Sequence, residues 1–273
     1  MAYPIELTDP QWALVGHLFE PPGRRGAPCQ IPRRQMVNAM LFLARTGCQW
    51  RYLPDRYGPW GAVWQQWRRW RANGVWDRAM ALLAREIRLK HGREATPSML
   101  MIDAQTVRGG RAGPTFHEAG GRGGRTMGTK RTVVAEILGL PIAVAAESAR
   151  PHDVRSGRLL LRDLLKDRPQ SLPRLQAIVA DRGYGGLQNF ITIRNGLTLD
   201  IKRKAPGTVG FKPIGPLWRI EHVFAQLGRW RRLARCYEGS EASARTSPLS
   251  TSSTMPAAPT ASTCSITRIS GKS

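Results

Sequence analysis

Two short apolar runs constrain this chain more than any other feature: MLMID at 99–103 and AIVAD at 177–181, each closing on an aspartate. Both read as buried strands. RTVVAEIL (131–138) and LPIAVAAES (140–148) read as two further strands joined at Leu138-Gly139, a hairpin. LTLDIKRK (197–204) is a shorter strand candidate, and SGRLLLRDLLKDR (156–168), led in by Pro151-His152-Asp153, reads as a helix. Strands mixed with helices define an α/β domain, here 96–242. Within it AGGRGGRTMGTK (119–130) is Gly-rich and basic but matches no phosphate-loop pattern, so it is expected to be a flexible loop near the ligand.

Residues 1–95 carry the other period. LTDPQWALVGHLF (7–19) begins with an Asp-Pro suited to a helix entry and places Trp12, Val15, Leu18 and Phe19 inward, leaving His17 on the surface. After the loop EPPGRRGAP, a helix over 32–45 puts Met36, Met40 and Leu43 on one face and stops at Gly47. The next, over 59–74, sets Trp60, Val63, Trp64 and Trp67 on one side and Arg68, Arg69 and Arg71 near the other, ending at Asn73-Gly74. The last, over 75–92, is expected to bury Trp76, Met80, Leu83 and Ile87. Short helices with tight turns and exposed arginines suit a helix-turn-helix-like DNA-binding domain. The tryptophans read as core; the Arg68, Arg69, Arg71 cluster reads as a DNA contact, with a solvated face as its rival.

Lys plus Arg number 42 against 19 acids, a net charge of +23, which points to a polyanionic partner. Arginine supplies nearly all of it, and its planar fork suits phosphate. No apolar run is long enough to span a bilayer and no signal peptide is visible, so a membrane surface is the weaker explanation. The cysteines (Cys29, Cys48, Cys236, Cys264) show neither a CxxC pair nor disulfide-like spacing, and fit reduced thiols in a cytoplasm.

WRIEHVFAQLGRWRRLARCYE (218–238) reads as one amphipathic helix with an apolar stripe of Ile220, Val223, Phe224, Leu227 and Ala234, and arginines in its second half. Glu221 borders the stripe, and a carboxylate there must meet something positive. It is either the partner of a nearby arginine or a metal ligand aimed inward, with Arg229, Arg231 and Arg232 along a nucleic-acid backbone. Neighbouring strands would bring Asp103 and Asp181 together, and ligands gather at strand ends in α/β sheets. Close carboxylates repel and need a cation, which for oxygen ligands is Mg²⁺ or Mn²⁺. With Glu221 completing the site, a metal pair would activate water and stabilise the leaving oxygen in phosphodiester cleavage. Strand-end aspartates also serve as caps and turn residues, and spacing alone leaves both readings open.

GCQWRYLPDRYGPWGAVWQQWRRWRANGVW (47–76) resembles the N-terminal domain of bacterial insertion-sequence transposases of the insertion-sequence-five type. MIDAQTV, VADRGYGG and IEHVFAQLGRWRRLARCYE resemble that family's three catalytic segments, in order, and the likeness covers roughly 5–240. It implies an RNase H-like catalytic domain with Asp103, Asp181 and Glu221 as the acids, and Mg²⁺-dependent cleavage and strand transfer at insertion-sequence ends. It implies as partners the terminal inverted repeats and target of double-stranded DNA, a homodimer on that DNA, and a nucleoid-associated place in a bacterial cytoplasm. His152-Asp153 matches a pair that usually precedes the second aspartate and is read as structural. The family often has a basic residue four before its glutamate, where this chain has Leu217. From Ser243 onward there is no acid and no aromatic residue, so 243–273 is expected to be a disordered tail, either a natural linker or a reading-frame change. The alternatives to a working transposase are an inactive relative that only binds transposon-end DNA and a metal nuclease without strand transfer.

Overall fold

The computed structural model describes residues 5–20, 30–109, 118–119, 126–203 and 215–236. The tail at 243–273 and half of the Gly-rich stretch, 120–125, lie outside the described residues; Thr126 to Lys130, expected to be loop, belong to a strand.

Four helices come first: α1 (Asp9–Phe19), α2 (Arg33–Thr46), α3 (Trp60–Ala72) and α4 (Val75–Lys90). Thr8 caps α1 in a reciprocal box, its hydroxyl taking the Gln11 amide while the Gln11 side chain takes the Thr8 amide. α2 stops where Gly47 adopts a left-handed φ of 72°. α3 and α4 meet at the two-residue turn Asn73-Gly74, with Gly74 at φ 62°. Phe19 sits at the centre of the bundle, edge-on to Trp70 and Trp76 at ring distances of 4.9 and 5.0 Å. Met36, Met40 and Leu43 are buried as expected, and His17 is exposed. Two details differ. Trp60 is exposed, and Trp70 takes the core place expected of it. On α4 the buried set is Val75, Trp76, Ala79, Ala84 and Arg88, while Met80, Leu83 and Ile87 are only half-buried. The reason is that α4 is covered on two sides, by α1 and by the sheet, so its buried stripe is wider than one helical face.

The sheet follows: β1 (Met99–Arg108), β2 (Glu118–Ala119), β3 (Thr126–Glu136), β4 (Pro141–Ser148), then α5 (Asp153–Leu165) and α6 (Arg168–Ser171), then β5 (Ala177–Asp181) and β6 (Thr198–Lys202). β4, β3 and β1 run antiparallel, with the β3–β4 hairpin turning at Gly139, φ 77°. β1, β5 and β6 run parallel. This mixed α/β sheet fits the RNase H-like domain that the resemblance implies. Its even-numbered residues Leu100, Ile102, Val134, Ile178 and Ala180 pack beneath α5 with Leu161 and Leu165. Its odd-numbered residues Met101, Val133, Ala135 and Val179 pack against α7 (Trp218–Gly228), which buries Ile220, Val223, Phe224 and Leu227 on them. Burying each such side chain is worth about 1.5–3 kcal/mol before entropy is charged.

The helix expected over 218–238 is two. α7 ends at Gly228, and after Trp230 a single turn, α8 (Arg231–Ala234), starts in a new direction. Leu233 turns inward in place of Ala234, which is exposed. The break lets Trp230 pack against both the helical core and the α7 core.

α4 is fastened to the β3–β4 turn by a buried ion pair. Arg88 Nη1 donates to Glu136 Oε2, while Glu136 Oε1 accepts the Leu138 and Leu140 amides at 2.7 and 3.2 Å. Arg88 Nε also holds the Glu94 carbonyl at 2.8 Å. Arg88→Ala would strand a wholly buried carboxylate, and is expected to cost about 3–5 kcal/mol in a denaturant titration followed by tryptophan fluorescence. A loss below about 1 kcal/mol would show that the pair does not fasten the two parts.

Candidate active site

The parallel register of β1 and β5 sets the first two acids. Met99, Leu100 and Met101 lie opposite Ala177, Ile178 and Val179. Two residues further along each strand come Asp103 and Asp181. Alternation puts both on the face of Met101 and Val179, the face α7 covers. β5 ends at Asp181, and the chain turns into a 3₁₀ segment, Arg182–Leu187. Asp103 does not end its strand, contrary to the sequence expectation. β1 continues to Arg108, held by β3 in unbroken register from Leu100↔Glu136 to Arg108↔Gly128. Gly128 permits this closeness, since a Cβ there would lie 2.4 Å from the Val107 carbonyl oxygen.

Beyond the end of β5 a cleft of about 650 Å³ opens between the outer half of β1 and α7. Asp103 and Glu221 both line it, with Gln105, Phe224 and Arg131 among its other walls. Glu221 is exposed rather than aimed into the core, so the expected cost of burying it does not arise. Asp181 is exposed and lies outside the cleft lining.

Asp103 is half-buried and accepts the Ala104 amide at 2.7 Å. Burial pushes its carboxyl up from 3.8 to about 6; the Ala104 amide opposes the rise, and the charges of Asp181, Asp153 and Glu221 add to it. Asp103 therefore feels both other acids singled out in the sequence and one that was read as structural. Asp153 opens α5, whose cap is His152 Nδ1 accepting the Val154 amide at 3.3 Å. It is paired with Lys130 Nζ at 2.5 Å. Tyr184 lies buried nearby; its hydroxyl finds no partner among the described residues, and burial with the charges of Asp103, Asp153 and Asp181 pushes it up. Sequence reasoning passed over Tyr184, although it stands in the VADRGYGG segment, and passed over Lys130 and Arg131 in the strand before the hairpin.

No ion pair holds Asp103, Asp181 or Glu221 among the described residues. Nor, among those residues, do any three His, Cys, Asp or Glu side chains stand close enough to hold a metal ion as they lie. The donor chemistry nevertheless suits a hard divalent cation: carboxylate oxygens only, mutually repelling and without a basic partner among the described residues. Gly183 keeps space open at Asp181, where a Cβ would come within 3.1 Å of Oδ1.

The arginines fall into two groups. Arg68 and Arg69 are exposed on α3 and Arg71 is half-buried; with Gln65 and Ala72 they border a hollow of about 610 Å³. Arg68 lies over Trp64 at 4.9 Å and Arg71 over Trp67 at 5.9 Å. The later arginines instead meet the end of α2. Arg45 Nη1 donates to the Arg229 carbonyl at 3.0 Å, and Arg232 Nη1 to the Cys48 carbonyl at 3.1 Å. Arg231 packs at Gly47, where a Cβ would lie 3.1 Å from its own. Arg229 and Arg231 keep exposed surface; Arg232 is half-buried. No helix among the described residues is long and apolar enough to cross a membrane.

Residues 7–80 match the family described as "transposase of IS4/5 family", and residues 94–207 match the family described as "Transposase DDE domain". A 16.2 kDa protein of insertion element IS402 from Burkholderia cepacia is 34% identical over 119 residues, 41% of this chain and 79% of that protein. The protein y4sN of Sinorhizobium fredii is 38% identical over 125 residues, 44% of this chain and 87% of it. A pre-cleavage Mos1 transpososome structure aligns at 12% identity and a TM-score of 0.30 over 82% of this chain and 72% of that one, too loosely to place any residue. The chain belongs to the insertion-sequence DDE transposases of the IS4/5 family.

The raised Asp103 carboxyl makes a stability test. The folded chain keeps this proton up to about pH 6, whereas the unfolded chain releases it near 3.8. Stability is therefore lost as pH rises through that window and stays lower above it. Asp103→Asn removes the penalty, so the variant is expected to be more stable than the parent at pH 7, by on the order of 2 kcal/mol. The gain should vanish by about pH 4. Thermal melts at both pH values check this; equal melting at pH 7 would refute it.

Proposed function

We propose that this chain is the enzyme that cuts insertion-sequence ends and joins them to target DNA, with Asp103, Asp181 and Glu221 as its catalytic acids. The observation that carries the reading is geometric. Parallel register sets Asp103 and Asp181 at one level of one sheet face, and α7, packed on that face, brings Glu221 to the cleft that Asp103 lines.

Divalent magnesium or manganese, held by these carboxylates, would stabilise negative charge on the attacking and leaving oxygens of a phosphodiester. The chain's own part is positioning. β1 and β5 are central strands buried on both faces, so their acids are held on rigid backbone. Burial raises the carboxyl of Asp103 most, and the charges of Asp181, Asp153 and Glu221 add to the rise, so that a cation is favoured there. Tyr184 and the Lys130–Asp153 pair lie behind the site on the α5 side. The helical unit, residues 1–95, would hold double-stranded DNA through Arg68, Arg69 and Arg71 on α3, in helix-turn-helix fashion with the turn at Asn73-Gly74. Arg229 and Arg231, exposed beside the junction with the sheet, would carry the backbone onward, with Arg232 bracing them. Two copies would act together, one on each end.

Three substitutions test the acids. Asp103→Asn, Asp181→Asn and Glu221→Gln are each expected to lower Mg²⁺-dependent cleavage of duplex bearing the cognate ends by at least about 10³-fold, on the scale of losing a catalytic group. They should leave duplex affinity close to that of the parent. Mn²⁺ should raise the melting temperature of the parent and fail to raise that of Asp103→Asn. Cleavage at the parental rate by any of the three would remove that residue from the site.

Replacing Arg68, Arg69 and Arg71 together by Ala is expected to weaken duplex binding and flatten its salt dependence, by a slope of about 0.9 for each phosphate no longer neutralised. An unchanged slope in an anisotropy titration would leave the cluster a solvated face.

A further inference from the structure

Arg131 is a buried cation that the acids of the site do not neutralise. It lies on β3 opposite Gln105, on the same side as Val133 and Ala135, hence on the α7 face. Its residue surface is 8% exposed. Nη1 donates to the Leu233 carbonyl of α8, and among the described residues no carboxylate pairs with it. Burial pushes the guanidinium down to about 10. A charge kept in such a place costs free energy unless an anion meets it. One carbonyl uses one of its five donors.

The cleft supplies the place for that anion. Asp103 and Glu221 line one part of it; Gln105, Thr106, Arg108, Arg131 and Arg235 line the rest, with Gln105, Thr106, Arg108 and Arg235 exposed. One end is acidic and the other basic. From Asp103 to Gln105, the register partner of Arg131, is about 7 Å along β1, roughly two nucleotide rises of a DNA strand. A phosphodiester facing the acids thus puts a nearby phosphate of the same strand within reach of the basic end. Arginine suits that phosphate because its planar fork can donate twice.

We propose that the basic end of the cleft is a phosphate subsite, in which Arg131, flanked by Arg108 and Arg235, holds a phosphodiester close to the scissile one, so that the cut strand lies along the outer half of β1. The subsite rests on the reading of Asp103 and Glu221 as catalytic acids, and it assigns the strand a direction across them.

The test measures binding apart from cleavage. A fluorescein-labelled short single-stranded oligonucleotide is titrated by anisotropy, in EDTA and at several salt concentrations, against the full chain, Arg131→Gln, Arg131→Lys and the double variant Arg108→Ala/Arg235→Ala. Arg131→Gln keeps a donor for Leu233. The double variant changes only exposed side chains, so it reports even if Arg131 variants fail to fold. The expected result is roughly five- to fifty-fold weaker binding and a salt slope lower by about 0.7 for each phosphate released. Arg131→Lys, a point charge, should recover only part of the affinity. Parental affinity and slope in both Arg131→Gln and the double variant would overturn the subsite. Asp103→Asn in the Mg²⁺ cleavage assay separates the two ideas. If it still cleaves while Arg131→Gln has lost binding, the catalytic reading fails, and Arg131 holds phosphate without a scissile bond at Asp103. If it is dead while Arg131→Gln binds normally, the subsite fails alone.

Discussion

In β1 and β5 the odd-numbered side chains turn towards α7, and that alternation carries the acids with it. Met101 and Val179 are completely covered, while the next odd positions, Asp103 and Asp181, come out from under the helix at the edge of its cover. A one-residue slip of either strand would move an aspartate to the α5 face and an apolar residue into the cleft. The register is guarded on both sides, because Leu100, Ile102, Ile178 and Ala180 fill the opposite core. The hydrophobic packing that stabilises the sheet is thus the same constraint that places the two aspartates.

Charge at the site is arranged against the stability of the chain alone. Three acids press on Asp103, and Arg131 sits buried without a carboxylate among the described residues. Asp103 and Glu221 line the same cleft as Arg131, yet among the described residues they are not paired with it. Elsewhere the protein pairs buried charge closely, as Arg88 with Glu136, and of the three acids acting on Asp103 it is Asp153 that meets a lysine, Lys130. Leaving both kinds of charge uncompensated in one groove suits a ligand that brings cations to one end and phosphate to the other.

Much of this was legible in the sequence. The apolar runs ending at Asp103 and Asp181, the hairpin at Leu138-Gly139 and the stop at Gly47 were local signals, and each lies in the expected element. What was hidden depends on partners distant in the chain. Nothing apolar marks β1 beyond Asp103, apart from Ala104 and Val107; that half of the strand exists because β3 pairs with it and Gly128 lets it approach. The helix over 218–238 was drawn too long because its stripe can be continued through Ala234. Only the packing of Trp230 between two cores shows why the chain turns. Asp153 was legible as part of a His-Asp pair and its capping partner fits a structural part, but its charge on Asp103 follows from the position of α5. Arg131 gave no signal beyond a basic pair ahead of an apolar strand.

The hydrogen bonds that tie the end of α2 to Arg229 and Arg232 join residues 184 positions apart. As the chain leaves the ribosome, the helical bundle and all the strands emerge before the segment that fastens them. Domains generally fold in that order during synthesis. A growing chain therefore holds Asp103 and Asp181 on its sheet while Glu221 has yet to arrive. The element that brings the third acid is continuous with the brace for Arg131 and the clasp on the helical bundle, so all three are installed at nearly the same moment. On the reading proposed above, a nascent chain is basic enough to settle on nearby DNA well before it carries all three of the acids proposed to cut it.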